Sequence, residues 1–215
     1  SPGRYKAMTA LMLLGPGTPM LFQGQEFGAS APFLYFADHK PELARLVRRC
    51  RAEFLRQFPA LAAPEMQKQL PDPADPATFE HSKLDLSERE RHAETYALHR
   101  DLLALRREEA VFASQRPGGL DGAVLAEEAF VLRYFDGGQD DRLLLVNLGR
   151  ELSIDPAPEP LLAPPVDAHW EVRWSSEDPR YGGFGTAPVE GDEGWRLPAE
   201  SAIVMRPARD TQADG

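Results

Sequence analysis

The chain has 215 residues, 42% of them apolar and 27% charged, values usual for a globular fold with a sizeable core. A formal net charge of -10 argues against nucleic acid or an anionic membrane as partner, since both are bound by clustered cations. Cys50 is the sole cysteine, which excludes an internal disulfide or a thiolate metal cluster and is compatible with a reducing, cytoplasmic setting. No cofactor is implied.

Arg4 to Leu14 repeats apolar residues at Tyr5, Met8, Leu11 and Met12, the spacing of a helix with one buried face. The run from Ala7 to Leu14 is far shorter than the ~20 residues that a bilayer requires. Gly15 can close the helix with a positive φ, and Pro16 stops it. Pro19 to Phe22 then reads as a short strand covered on both faces, as in a parallel sheet. The order helix, tight turn, apolar strand, loop is one step of an alternating helix/strand domain. It falls at the start of the chain, and Ser1-Pro2-Gly3-Arg4 reads like the middle of a larger protein.

From Gln23 to His39 the chain is a loop with Phe27, Phe33, Tyr35 and Phe36, more ring surface than loops usually carry. A helix follows from Pro41 to about Phe58, with Leu43, Leu46, Val47, Cys50, Phe54 and Phe58 on one face. Cys50 in that stripe reads as a core residue. Pro71-Asp-Pro-Ala-Asp-Pro76 is a stiff connector. Ser87 and Glu90 form a capping box that starts a helix to about Arg107, its packed side including Tyr96, Leu98, Leu102, Leu103 and Leu105.

The period changes near residue 116. Phe130–Phe135, Arg142–Leu148, Trp170–Trp174 and Ala202–Arg206 are short β-prone runs punctuated by Gly, Asp and Pro, the pattern of an antiparallel sandwich. Residues from 208 read as a disordered tail.

Glu26 and Asp38 flank the aromatic loop, with His39 adjacent. Two carboxylates can serve glycoside hydrolysis, and aromatic rings suit the apolar face of a sugar. The same acids can instead cap loop amides or the helix that starts at Pro41. His92 and His99 lie two helical turns apart, not at the i, i+4 spacing of a ligand pair, so no metal site is expected with His81. Gly182-Gly-Phe-Gly185 reads as a surface turn. Trp174 to Gly182 mixes rings and polar groups as a sugar site does, and a sandwich strand followed by a turn explains it equally.

Gly17-Thr-Pro-Met-Leu-Phe-Gln-Gly-Gln-Glu-Phe-Gly28 resembles the eighth strand of an alpha-amylase superfamily barrel. Pro32-Phe-Leu-Tyr-Phe-Ala-Asp-His39, Asp72-Pro-Ala-Asp-Pro-Ala-Thr-Phe79 with Ser82-Lys-Leu84, and Trp174-Ser-Ser-Glu-Asp-Pro-Arg-Tyr-Gly-Gly183 narrow the resemblance to the maltooligosyltrehalose trehalohydrolase family. The resemblance implies an α/β plus all-β chain. Residues 1–116 would be the C-terminal end of a (β/α)8 TIM barrel and 117–207 an antiparallel β-sandwich domain, with 208–215 the tail. It implies cleavage of the α-1,4 bond that releases trehalose from maltooligosyltrehalose or a related α-glucan. The family's catalytic carboxylates lie in motifs that this chain lacks: neither Asn-His-Asp nor Asp-Gly-x-Arg-x-Asp occurs. They would be supplied by an N-terminal remainder of the same enzyme, and the segment alone would be inactive. Glu26, Phe27, Tyr35, Phe36, Asp38 and His39 are then candidates for binding sugar or bracing the acids, built as they are on a loop beyond a strand. A glucan branching or trehalose-forming transferase, or a non-catalytic carbohydrate-binding module, are the alternative readings.

Overall fold

Every residue of the strand Arg142–Asn147 is buried, so both of its faces are covered, and the main body of the protein is built outward from it. The computed structural model describes residues 1–114, 116–137, 140–191 and 194–209. Its helices are α1 Pro2–Leu14, α2 Pro41–Leu55, α3 Pro59–Ala62, α4 Pro64–Gln69, α5 Pro76–His81, α6 Glu88–Arg91, α7 Ala93–Glu108 and α8 Ala110–Ala113. Its strands are β1 Leu120–Ala126, β2 Ala129–Tyr134, β3 Arg142–Asn147, β4 Leu152–Ile154, β5 His169–Ser175, β6 Glu190–Gly191, β7 Gly194–Leu197 and β8 Ser201–Ala208. Two compact units result: Ser1–Phe27 with His92–Gly215, and Gly28–Arg91.

The first unit contains a five-stranded sheet ordered β1-β2-β3-β8-β5 and a three-stranded sheet ordered β4-β7-β6. All the described pairings are antiparallel. Side chains alternate across a strand, and β3 uses both sides. Leu143 and Leu145 join Val131, Trp170, Trp195, Leu197, Ile203 and Met205 in the core between the sheets. Leu144 and Val146 turn the other way, with Val204 and Ala202, toward α1 and α7. A register shift between Val172 and Trp174 inserts an extra residue into β5. The bulge re-aims Trp174 from the face used by Trp170 to the helix-covered face.

The helix layer lies close because α1 presents small residues: Ala7 and Ala10 are fully buried, beside Leu13 and Leu14. Arg106 of α7 holds the end of α1, its Nη1 donating to Leu13 O and Gly15 O at 2.8 Å and its Nη2 to Gly17 O at 2.9 Å. Leu13 O, in the last turn, would otherwise lack an intrahelical donor. Glu109 is a buried carboxylate between two cations, paired with Arg142 Nε and accepting from Arg173 Nε at 2.7 Å. Arg133 similarly ties β2 to its surroundings, donating to Asp141 at 2.9 Å and to the carbonyl of Ala163 at 2.6 Å.

The second unit is held differently. Its α2 buries no residue, and Thr78, Ser82 and Glu88 are its buried polar side chains. Each is bonded. Thr78 Oγ1 donates to Asp72 O at 2.7 Å, and Ser82 Oγ donates to Thr78 O at 2.9 Å and accepts from Leu34 N at 3.2 Å. Glu88 accepts from the backbone N–H and the hydroxyl of Ser30 at 2.9 and 2.5 Å. Those two bonds hold the Glu88 carboxyl below the usual carboxylate range.

Several sequence expectations change. Pro19 to Phe22 forms no strand: the segment has no strand partner among the described residues, and Met20 and Phe22 are 86% and 55% exposed. A ladder needs a neighbour, whatever the local propensity. On α1 the sheet takes the Ala7/Ala10/Leu13/Leu14 face, leaving Tyr5 and Met8 outward. Gly15 has φ -59° rather than a positive value, because the following Pro16 drives it into the extended region. Cys50 and the apolar stripe of α2 are exposed or half-exposed, nothing in the second unit covering them. Ser87 caps no helix: its hydroxyl donates to Asp85 at 2.7 Å, and the helical run breaks at His92, with α7 starting at Ala93. Ala208 pairs with His169 at the end of β8; the tail expected beyond it falls on 210–215, outside the described residues.

Candidate functional site

The six residues picked from the sequence fall in both units. Glu26 and Phe27 sit on a single 3-10 turn in the first unit, where Tyr5 Oη donates to Gln25 O at 3.0 Å. Phe27 is fully buried, so its ring presents no face to solvent. Its carbonyl lies 2.7 Å from His92 Nδ1. Glu26 is half-buried, and its charge bears on two neighbours. Tyr5 is raised above its ordinary value by burial first and by Glu26 in addition. Buried His99 is lowered by desolvation, against opposing contributions from Thr95 O and Glu26.

Tyr35, Phe36, Asp38 and His39 belong to the second unit and are all exposed. The segment has no helical or strand assignment, and neighbours in an extended chain point to opposite sides. Tyr35 accordingly faces α2, with Arg51 Cζ 4.7 Å from its ring centroid. Phe36 and Asp38 face the Asp72–Phe79 segment.

That second side is a groove of about 530 Å3 lined by Phe36, Ala37, Asp38, Pro73, Asp75 and Phe79. One backbone bond joins its walls, Ala37 N donating to Pro73 O at 2.9 Å. The Phe36 and Phe79 rings meet edge to face at 5.1 Å, and 38% and 44% of these residues remain exposed. Asp75 spends one carboxylate oxygen capping α5 through Ala77 N at 2.9 Å. Asp38 does not cap α2, whose N-cap is Lys40 with no side-chain bond. Two exposed rings beside carboxylates suit a ligand with an apolar face and a rim of hydroxyl donors, the surface of a pyranose.

The groove's far wall was missing from the site residues read in the sequence. Pro73 and Asp75 were read as part of a stiff connector, and with Phe79 as part of a segment that carries the resemblance. A run of Pro and Asp followed by Phe gives no sign of which loop it meets.

Trp174 and Tyr181, by contrast, are packing residues. Trp174 Nε1 donates to Tyr181 Oη at 3.1 Å, Tyr181 Oη donates to Asp101 at 2.9 Å, and both residues are buried. Gly182 follows with φ 71°, where an added Cβ would lie 2.6 Å from Glu94 Oε2. Phe184 beyond it is 99% exposed. The described residues contain no grouping of His, Cys, Asp and Glu that could hold a metal ion, nor a helix long and apolar enough to cross a membrane.

Residues 117–204 match the model of a domain of unknown function, DUF3459. The malto-oligosyltrehalose trehalohydrolase of Deinococcus radiodurans is 40% identical over 153 residues, 68% of this chain and 24% of that protein. That of Mycobacterium tuberculosis is 31% identical over 210 residues, 96% of this chain and 31% of the relative. That of Arthrobacter ramosus is 48% identical over 127 residues, 56% of this chain and 21% of the relative. Among solved structures, the alpha-amylase from H. orenii superposes with a TM-score of 0.55 at 15% identity, covering 97% of this chain and 36% of that one. The trehalulose synthase MutB R284C mutant gives 0.53 at 16% identity, with 96% and 38% covered. The chain therefore shares its fold with part of the alpha-amylase family enzymes. By sequence it is a relative of the malto-oligosyltrehalose trehalohydrolases, spanning about a quarter to a third of the length of the two most fully matched of these relatives.

Proposed function

We propose that this chain is the C-terminal portion of a glycoside hydrolase that cleaves the α-1,4 bond joining trehalose to a maltooligosaccharide. Residues 1–116 are assigned to the end of its barrel, for which the described residues supply helices and no strand, and the reacting carboxylates lie outside the chain. The observation that carries this reading is the groove of the second unit. It brings Phe36-Ala37-Asp38 against Pro73 to Phe79, so two of the segments that resemble the family build a single surface with the chemistry of a sugar site. The names of the relatives support the substrate class.

In this reading Phe36 and Phe79 supply the apolar platform, and Asp38 accepts hydroxyl donors. Asp75, already bonded to Ala77 N, fixes the rim. Glu26 does not line this groove, and no proton transfer is assigned to it. None of these residues reacts, so the work of the groove is to position an α-glucan, which lowers the entropy cost of reaching the transition state.

Isothermal titration of the 215-residue chain with maltotriosyltrehalose tests this. Saturable binding without hydrolysis is expected, weakened about tenfold by Asp38→Ala or Phe36→Ala through loss of a hydrogen bond or a stacking face. Turnover of the sugar by the chain itself would overturn the placement of the carboxylates. Equal affinity in both variants would overturn the groove.

A further inference from the structure

The large sheet of the first unit has two unlike edges. One is β5, which carries Glu171, Arg173 and a bulge, the guards that keep a sheet edge from pairing with another chain. The other is β1, paired on one side only, to β2. Its seven residues include one charged side chain, Asp121, and no Lys, Arg or Pro. Asp121, Gly122 and Val124 are exposed, Val124 by 78%. The edges of the second sheet, β4 and β6, have three and two residues and are too short to template a ladder.

The phase of the β1 ladder decides which backbone groups are spare. Phe135 N donates to Gly119 O at 2.9 Å, and opposed residues of an antiparallel pair are hydrogen-bonded alternately. Asp121 and Ala123 therefore turn their backbone groups to β2, opposite Arg133 and Val131. Leu120, Gly122 and Val124 turn theirs outward. The Gly122 N–H has recruited the carboxylate beside it, donating to Asp121 Oδ1 at 2.8 Å. An acceptor of the same chain thus stands where a second strand would bring a carbonyl. The register shift after Val124 ends the regular edge, leaving Leu120 to Val124 for a partner.

That stretch is self-complementary. Two copies set antiparallel about a two-fold axis at Gly122 pair Leu120 of each with Val124 of the other, an isologous contact. The two side chains lie on one face and form an apolar cross-strand pair on either side of the axis. Gly122, without a side chain, lets the backbones meet there. Val124 also walls a groove of about 360 Å3 with Met8, Phe130 and Leu148, apolar surface contiguous with the edge. At each end exposed Arg116 of one copy, held only at 3.9 Å from Asp136, comes beside exposed Glu127 of the other. Opposite charges therefore meet at both ends of the shared ladder.

We propose that β1 is a homodimerisation edge. Two copies join their large sheets into one through antiparallel pairing of Leu120 to Val124, and Asp121 releases the Gly122 N–H to the carbonyl of the other copy's Gly122. The edge lies in the unit that does not hold the groove of Phe36, Asp38 and Phe79, and it does not depend on the function proposed for that groove.

Sedimentation equilibrium of the 215-residue chain, from about 1 to 500 µM at about 0.15 M salt, where repulsion between the acidic copies is screened, is expected to show a reversible monomer–dimer equilibrium. Val124→Lys should weaken the dimer about tenfold or more, and Val172→Lys, on the guarded edge, by less than about twofold. Asp121→Ala, which frees the Gly122 N–H and removes a charge from the edge, should tighten it. Emission of the buried tryptophans verifies that the unit stays folded. Should Val124→Lys unfold, the charges decide: Arg116→Glu weakens the dimer, and Arg116→Glu combined with Glu127→Arg restores it. Hydrogen exchange separates edge pairing from any other association. The Leu120 and Val124 amides should be protected in the dimer and exposed on dilution, whereas the Ala123 amide, bonded to β2, is protected in both states. Three results would overturn the proposal: a monomer across the whole range; a dimer that Val124→Lys leaves unchanged or that Val172→Lys weakens equally; or a dimer in which the Leu120 and Val124 amides exchange as they do in the monomer.

Discussion

The two units solve the same problem with opposite means. In the first, the strands and helices bury Leu, Val, Ile and Trp side chains on both faces of one sheet. In the second, no large apolar side chain is fully buried, and Phe33, Phe36, Leu43, Leu46, Phe54, Phe58 and Phe79 are all substantially exposed. A fully buried Leu contributes roughly 1.5–3 kcal/mol, whereas a net hydrogen bond contributes about 1 kcal/mol. The first unit is stabilised by packing. The second is ordered by hydrogen bonds at Thr78, Ser82 and Glu88, which tie Leu34 and Ser30 to the later helices, and its rings stay available to ligands or to further protein.

The comparison can be broken most directly at β3. Leu144→Ala, at a fully buried site, should cost about 2–5 kcal/mol in denaturant unfolding. A loss below about 1 kcal/mol would mean that the sheet is not the first unit's stabilising centre. Glu109→Leu should cost about 2 kcal/mol, because it removes the buried carboxylate shared by Arg142 and Arg173 while Asp140 and Glu108 still face those cations; the double variant with Arg142→Leu should recover part of that loss.

Alkali makes a third test. Burial pushes the phenols of Tyr134 and Tyr181 up to about 12. The folded state keeps protons that the unfolded chain releases near pH 10, so this stabilisation is intact below that pH and is lost as pH rises toward 12. For Tyr134 the loss is about 2 kcal/mol, and Tyr134→Phe should flatten the pH profile. Unchanged stability between pH 10 and 12 in the parent chain would contradict the enclosure of both rings.

Smaller effects belong to the second unit. Ser82→Ala removes the link between Leu34 N and Thr78 O and should cost about 1 kcal/mol, seen as faster hydrogen exchange at the Leu34 amide. Leu46→Ala, at a residue 45% exposed, should shift stability by less than about 0.5 kcal/mol. A larger effect would reveal cover over α2.

What the sequence disclosed follows the same division. The runs that became β3 and β8 were legible because buried central strands are continuously apolar, and those of β2 and β5 through their aromatic and β-branched residues. Missed were β1, interrupted by Gly122, and the short strands of the second sheet, β4, β6 and β7, of three, two and four residues, which carry too little pattern to read. Pro19 to Phe22 shows the converse: an apolar run is a strand only where a partner exists. On α1, apolar nearly all round, periodicity alone could not choose a face; the choice was made by Ala7 and Ala10, which let the helix approach β8. In the site, Phe36 and Asp38 were legible from loop composition. Their partners Asp75 and Phe79 were not, since loop-to-loop pairing through Ala37 and Pro73 leaves no local signature.

The distribution of indoles has a practical consequence. All three tryptophans, Trp170, Trp174 and Trp195, are buried in the unit of Ser1–Phe27 and His92–Gly215. Indole emission therefore originates in that unit alone, and Gly28–Arg91 contributes none of it. The protein carries its own selective optical label, and a Tyr35→Trp variant would light the other half, giving each unit a separate signal in one unfolding experiment.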